Sequence, residues 1–326
     1  MLCVEMKSLV SLVALGALWC AWFAPAAAEC IDAPDLAMYQ TTSPEDFAVG
    51  ATRSDRIGRV VAPVTVNGEG PFRFIVDTGA NRSVLSQSLA DRLGLTPEGE
   101  GQVHSVHGVT LAPLARVQAL QYGDLALGTA AMPVLQGPML AGEHGLLGVD
   151  GMRGRRLRMD FERNCIEIVP SRRAPRLRGW VRVPGELRFG HLVVVRAMIS
   201  GVRTNLLIDT GSDSSLANNA LREALGRRLQ RRAAGDSPMV YTAGDPVFLT
   251  DSIFLPRVRL GELEVRNIRA YVGDFHIFEL WGLHGEPTLL VGMDLLSQSR
   301  GLAIDYTSGV VYFRVREAPP GVRLLY

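Results

Sequence analysis

Phe74-Ile75-Val76-Asp77-Thr78-Gly79 and Leu206-Leu207-Ile208-Asp209-Thr210-Gly211 are the two stretches that decide how this 326-residue chain folds. Each places an aspartate directly after three apolar residues. A carboxylate carried into apolar surroundings is costly unless it is paired or hydrogen-bonded. The next two residues supply the remedy: a threonine hydroxyl can lock the loop, and glycine lets backbone amides approach the carboxylate. One Asp-Thr-Gly alone would often be an ordinary strand-to-turn corner, so its recurrence matters.

Three further landmarks recur in the same order. Tyr122-Gly123-Asp124-Leu125 matches Leu260-Gly261-Glu262-Leu263. Leu146-Leu147-Gly148-Val149-Asp150 matches Leu290-Val291-Gly292-Met293-Asp294, and Met159-Asp160-Phe161 matches Ile304-Asp305-Tyr306. The spacing between copies grows slowly along the chain, as a duplication with loop insertions in the second copy would give. Each copy reads as mainly β. Val60 through Val66 and His191 through Ile199 are β-branched runs, followed by the turn signals Asn67-Gly68 and Ser200-Gly201. Ser86 through Leu95 and Ala217 through Leu229 carry apolar residues at helical spacing. Asn164 and Ser308-Gly309 mark a closing hairpin turn in each copy. The organisation expected is a targeting segment over 1–28, an N-terminal arm over 29–55, a first lobe over 56–170, an Arg- and Pro-rich linker over 171–180 and a second lobe over 181–326.

Two such loops related by a pseudo-twofold axis would bring Asp77 and Asp209 face to face. Two carboxyls that close cannot both ionise, so they share a proton. The ionised partner can take a proton from a bound water, and the neutral partner can donate to a carbonyl oxygen: general acid–base hydrolysis without a covalent intermediate.

With these landmarks the chain resembles the retropepsin and pepsin aspartic peptidases, in particular the bacterial exported type with two retropepsin-like units in one chain. The resemblance rests on Asp77-Thr78-Gly79-Ala80, Asp209-Thr210-Gly211-Ser212 and the two hydrophobic-hydrophobic-Gly elements, and covers roughly residues 57–315. It implies an all-β, bilobal fold with two β-barrel lobes and a central cleft. It implies catalysis by Asp77 and Asp209 with support from Thr78, Gly79, Thr210, Gly211 and Ser212, the two threonines bracing each other. It also implies a hairpin flap over the cleft, for which the candidates are His104, Ser105, Val106, His107 and Gly108 in the first copy and Tyr241, Thr242 and Gly244 in the second. The chain departs from a symmetric pattern at Ala80 against Ser212. A Ser212 hydroxyl bonded to Asp209 would favour its ionised form, making Asp209 the base and Asp77 the acid. Asp213 either faces the dyad or turns to solvent or an arginine such as Arg82. His104 and His107 either overhang the cleft and tune its pH response or are a solvent-exposed pair. The aromatic segment Asp274 through Trp281, extra in the second copy, either lines subsites or packs under a long loop.

Composition limits the rest. Net charge is +1 and Lys7 is the only lysine, so no strong field points to nucleic acid. The arginines at 153, 155, 156 and 158 read as a solvated face. Lys7, the apolar run Leu9 through Ala21 and the Ala26-Ala27-Ala28 cleavage pattern read as a signal peptide, placing the protein in the periplasm or outside the cell; an uncleaved inner-membrane anchor facing the periplasm is the alternative. Cys30 and Cys165 either form a disulfide or remain free thiols. With six histidines and no close His/Cys set, neither metal nor cofactor is expected. The function expected is an aspartic endopeptidase acting as a monomer on polypeptide in the cell envelope; the rival is a catalytically silent binding or scaffold protein of the same shape.

Overall fold

The computed structural model describes residues 31–32, 59–122, 125–162, 165–174, 176–226, 230–233, 239–240, 247–249, 251–315 and 324–325. The first half contributes β1 (Ile31–Asp32), β2 (Val61–Val66), β3 (Glu69–Val76), β4 (Val84–Ser86), α1 (Gln87–Arg92), β5 (Pro97–His104), β6 (Val109–Tyr122), β7 (Leu125–Leu135), β8 (Gly145–Leu147), β9 (Arg155–Asp160) and β10 (Cys165–Pro170). The second contributes β11 (Val181–Val183), β12 (Gly185–Arg188), β13 (Leu192–Ile199), β14 (Val202–Ile208), β15 (Leu216–Ala217), α2 (Asn219–Leu225), β16 (Gln230–Ala233), β17 (Met239–Val240), β18 (Val247–Phe248), β19 (Asp251–Leu260), β20 (Leu263–Val272), α3 (His276–Leu280), β21 (Thr288–Val291), α4 (Met293–Leu296), β22 (Gly301–Asp305), β23 (Val310–Arg314) and β24 (Leu324–Leu325).

The fold is all-β and two-lobed. The first lobe runs β2-β3-β8-β4-β7-β6-β5, and a further β2–β6 pairing closes six of these strands on themselves. The second lobe repeats the circuit as β13-β14-β21-β15-β20-β19, closed by β13–β19, with β12, β16 and β24 attached. β17 and β18 form a separate two-stranded pair. Tight turns set the register of both opening hairpins. Asn67 and Gly68 have φ of 52° and 83°, Ser200 and Gly201 of 46° and 86°. Positive φ at both turn residues matches the twist of the flanking strands. Ser86 caps α1 by accepting from the Leu89 amide, and Asn218 caps α2 by accepting from Leu221. Both helices are shorter than the spacing suggests, because Leu93 already caps α1 and Gly226, at φ 48°, caps α2.

A third sheet, β1-β10-β9-β22-β23-β11, belongs to neither lobe alone. Its centre is the antiparallel pairing of β9 with β22, the closing strands of the two halves, with Leu157 opposite Ile304. Here three of the four arginines expected to be solvated, Arg155, Arg156 and Arg158, are tied down, while Arg153 is exposed. Arg156 pairs with Asp305 at 2.9 Å and Arg158 with Glu167 at 3.3 Å, while Arg155 donates to the Gly151 and Ala126 carbonyls. The partners are buried acids: Asp160, Glu167 and Asp305 lie in the interior, and a buried carboxylate requires a cation or donors beside it. The aromatic segment also resolves in favour of packing, since Phe275, Ile277, Phe278 and Trp281 are all buried. Residues 1–28, Cys30, Asn164, Tyr241, Thr242 and Gly244 lie outside the described residues, and with them the signal-peptide, disulfide and second-flap expectations. Among the described residues no helix is long and apolar enough to cross a membrane.

Ile304 is fully buried in the sheet that both halves share. Ile304→Ala is expected to remove about 2–5 kcal/mol of stability, read as a lower urea midpoint in a single transition reported alike by fluorescence and circular dichroism.

Candidate active site

β3 and β14 each run directly into an aspartate, Asp77 and Asp209, where loops from the two lobes meet. The loops that follow are locked crosswise. Thr78 Oγ1 donates to the Ile208 carbonyl at 2.7 Å and accepts from the Thr210 amide at 3.1 Å. Thr210 Oγ1 donates to the Val76 carbonyl at 2.6 Å and accepts from the Thr78 amide at 3.1 Å. Both threonines are buried, so no water competes for these bonds.

The lock places each glycine against the opposite carboxyl. A Cβ built on Gly79 would lie 2.4 Å from Asp209 Cγ, and one on Gly211 would lie 2.2 Å from Asp77 Cγ. Any side chain at either position would drive the aspartates apart. The same glycines supply amides: Gly79 donates to Asp77 Oδ1 at 2.8 Å and Gly211 to Asp209 Oδ1 at 2.9 Å, with the Ser212 amide at 3.2 Å. Asp209 is buried and Asp77 is half-buried.

The hydrophobic-Gly elements pass directly behind these loops. β8 runs parallel to β3 and antiparallel to β4, and β21 repeats this against β14 and β15. Gly148 packs on the Ala80 and Arg82 backbone, and Gly292 on that of Ser212 and Ser214, too closely for a Cβ in either place. A second brace, not foreseen in the sequence, fixes each crossing. Asp150 accepts from the Ser83 hydroxyl at 2.7 Å and amide at 3.0 Å. Asp294 accepts from Ser215 in the same way, at 2.8 and 3.1 Å. The repeated Asp at the end of each hydrophobic-Gly landmark was the available signal.

Burial raises both dyad carboxyls above the ordinary aspartate range. Asp209 goes much further, because the Asp77 charge and the Asp77–Asp209 hydrogen bond add to its burial. For Asp77 the bond from Asp209, the Gly79 and Ala80 amides and the Arg59 charge act the other way. The pair therefore retains a proton, and the larger rise at Asp209 favours its residence there. The Ser212 hydroxyl, on which the opposite assignment was expected to rest, donates to the Ser214 carbonyl at 2.8 Å instead of to Asp209.

Arg59, just before β2, also escaped sequence reasoning. Its Nε and NH2 grip Asp213 at 2.8 and 2.9 Å, and its NH1 donates to the Met139 carbonyl at 3.2 Å. Burial opposes the guanidinium charge, and Asp213 more than restores it, with Asp77 and Asp209 contributing. Asp213 thus turns to an arginine, but to Arg59 from the other half and not to Arg82. Beneath the site Tyr306 is fully buried with its hydroxyl unbonded, and its burial and the Asp77 charge hold the phenol protonated.

The first-copy flap candidate is a hairpin between β5 and β6, its turn closed by the Ser105 amide donating to the Gly108 carbonyl at 2.8 Å. Gly108 sits in open space without positive φ, so the turn does not depend on it. His104 and His107 are both exposed, and His104 meets His276 of the second half.

A family model described as Aspartyl protease matches residues 62–150 and 195–295, more than half of the chain and one stretch in each half. No curated protein matches the chain.

The dyad fixes the sign of one pH effect. Carboxyls that hold protons more tightly folded than unfolded contribute full stability below the unfolded aspartate pKa, and lose it as pH rises through their folded values. Asp209→Asn is therefore expected to be more stable than the wild type at neutral pH, and the gain should disappear near about pH 3; thermal melts at both values measure it. Thr210→Val, which strands the Val76 carbonyl and the Thr78 amide, should cost about 1–3 kcal/mol in the same assay.

Proposed function

The chain belongs to the aspartyl protease family, and from that premise we propose that it is an aspartic endopeptidase that hydrolyses polypeptide with Asp77 and Asp209. The observation that carries this reading is the mutual contact of the two loops, in which each glycine gives way to the opposite carboxyl. A structural pair of acids would gain nothing from such closeness, since like charges at contact oppose folding unless a proton is retained between them.

The chemistry follows from where that proton sits. A water held between the carboxyls loses a proton to ionised Asp77 as its oxygen bonds to the scissile carbonyl carbon. Asp209 gives its proton to the carbonyl oxygen. The tetrahedral diol then collapses: one of its hydroxyls returns a proton to Asp209 as the carbonyl re-forms, the C–N bond breaks, and the proton on Asp77 leaves with the amine. Arg59 favours this division of labour because its charge lies on the Asp77 side of the balance.

Apolar residues next to the Asp77 loop support cleavage beside apolar side chains. Ala80, Val103 and Met139 are partly buried against the small cluster of Val84, Ala112, Leu135, Leu140 and Leu146. We place the enzyme in the cell envelope on the strength of the signal-like N-terminal residues alone. Its substrate is a protein segment able to enter the cleft in extended form.

Asp77→Asn and Asp209→Asn are each expected to lower peptide hydrolysis about a thousandfold or more, with circular dichroism unchanged. Mapping new N-termini in a proteome digested by wild type and by Asp77→Asn measures it; equal cleavage by either purified variant would remove the proposal. The kcat/KM profile should be bell-shaped, rising as Asp77 ionises and falling as Asp209 loses its proton.

A further inference from the structure

The β5–β6 hairpin is fastened at its turn to the other half of the molecule. The His276 amide donates to the Val106 carbonyl at 2.9 Å. Beside it His104 Nδ1 lies 3.0 Å from His276 Nε2, although the residues are 172 positions apart. Their ring planes are 11° from parallel, with centroids 5.3 Å apart. Rings stacked face to face keep their atoms about 3.5 Å or more apart. Nitrogens at 3.0 Å therefore mean rings lying edge to edge in nearly one plane, an N–H of one aimed at the lone pair of the other. His276 opens α3, in the segment by which the second half exceeds the first.

An N–H···N bond between imidazoles needs one nitrogen without a proton. The pair can carry a single positive charge and stay bonded. With two, an N–H faces an N–H and two like charges sit side by side. We infer that the β5–β6 hairpin is a strap latched to α3, released when His104 and His276 are both protonated, so that the crevice between the lobes opens to polypeptide in mildly acidic surroundings. Imidazole is the side chain suited to such a switch, since it changes charge between about pH 5 and 8. Val106, packed against the main core, seats the turn when the latch is closed.

The other titratable groups on these elements are His107 in the turn, Glu98 and Glu100 on β5, and Asp274 and Glu279 beside His276. Glu98 is held by Arg116 at 2.7 Å and Asp274 is bonded to Asn219. β6 brings none between Val109 and Ala115. The gating role rests on the peptidase reading of the cleft; the latch itself does not.

Hydrogen exchange of the full chain tests it without turnover. Amide protection across 275–280, corrected for intrinsic exchange, should fall about tenfold between about pH 8 and about pH 5. In a His104→Phe/His276→Phe double variant that dependence should vanish. His104→Gln, which keeps a bonding partner but cannot charge, should show the same loss if the double variant fails to fold. Equal protection at both pH values in the wild type, or an undiminished pH response in the variants, overturns the latch. Running the experiment in Asp77→Asn as well separates this outcome from the fate of the peptidase proposal, which only cleavage assays decide.

Discussion

Thr78 and Thr210 each push a hydroxyl into the backbone of the other's loop and receive the other's amide in return. Four buried hydrogen bonds thereby fix two chain segments 132 residues apart against each other. Everything chemical about the molecule follows from that registration. It brings Asp77 and Asp209 into contact, and it makes glycine the only residue tolerated at 79 and 211. It forces one proton to be shared, because desolvated carboxyls at that distance cannot both be charged. Energy otherwise available for stability is held in a strained electrostatic arrangement, as functional sites commonly require.

The surrounding structure keeps that arrangement from relaxing. Ser83 with Asp150, and Ser215 with Asp294, pin each loop to the strand behind it. The strands themselves are central members of closed sheets, so a shift in one would break pairing all round the lobe. Between the lobes the β9–β22 ladder joins the halves through backbone bonds. Side-chain ion pairs such as Arg314–Asp160 and Arg156–Asp305 then cross from one half to the other within that sheet.

Much of this was legible in the sequence because duplication writes each feature twice. The two Asp-Thr-Gly turns, the hairpins at Asn67-Gly68 and Ser200-Gly201 and the capped helices after each loop are local, and local chemistry determines them. The features that escaped were contacts between partners remote in sequence. Arg59 and Asp213 are 154 residues apart, and no motif around Arg59 marks it as the arginine that Asp213 meets. Ser212 was misread for a different reason: its backbone amide does serve Asp209, but the loop's curvature aims its hydroxyl at the Ser214 carbonyl. Periodicity cannot report such an angle. The buried aromatic residues around α3 were ambiguous because an apolar cluster in a loop looks alike whether it faces a ligand or a core.

A single chain carrying both halves has one consequence that a pair of identical subunits could not have. In a self-associating dimer every substitution arrives on both sides of the axis at once. Here Asn81 stands in the first loop where Asp213 stands in the second, and Phe161 where Tyr306 does. The Arg59–Asp213 clamp accordingly exists on one flank only. The two flanks of the dyad are thereby made chemically distinct, so that the site has a direction built into it.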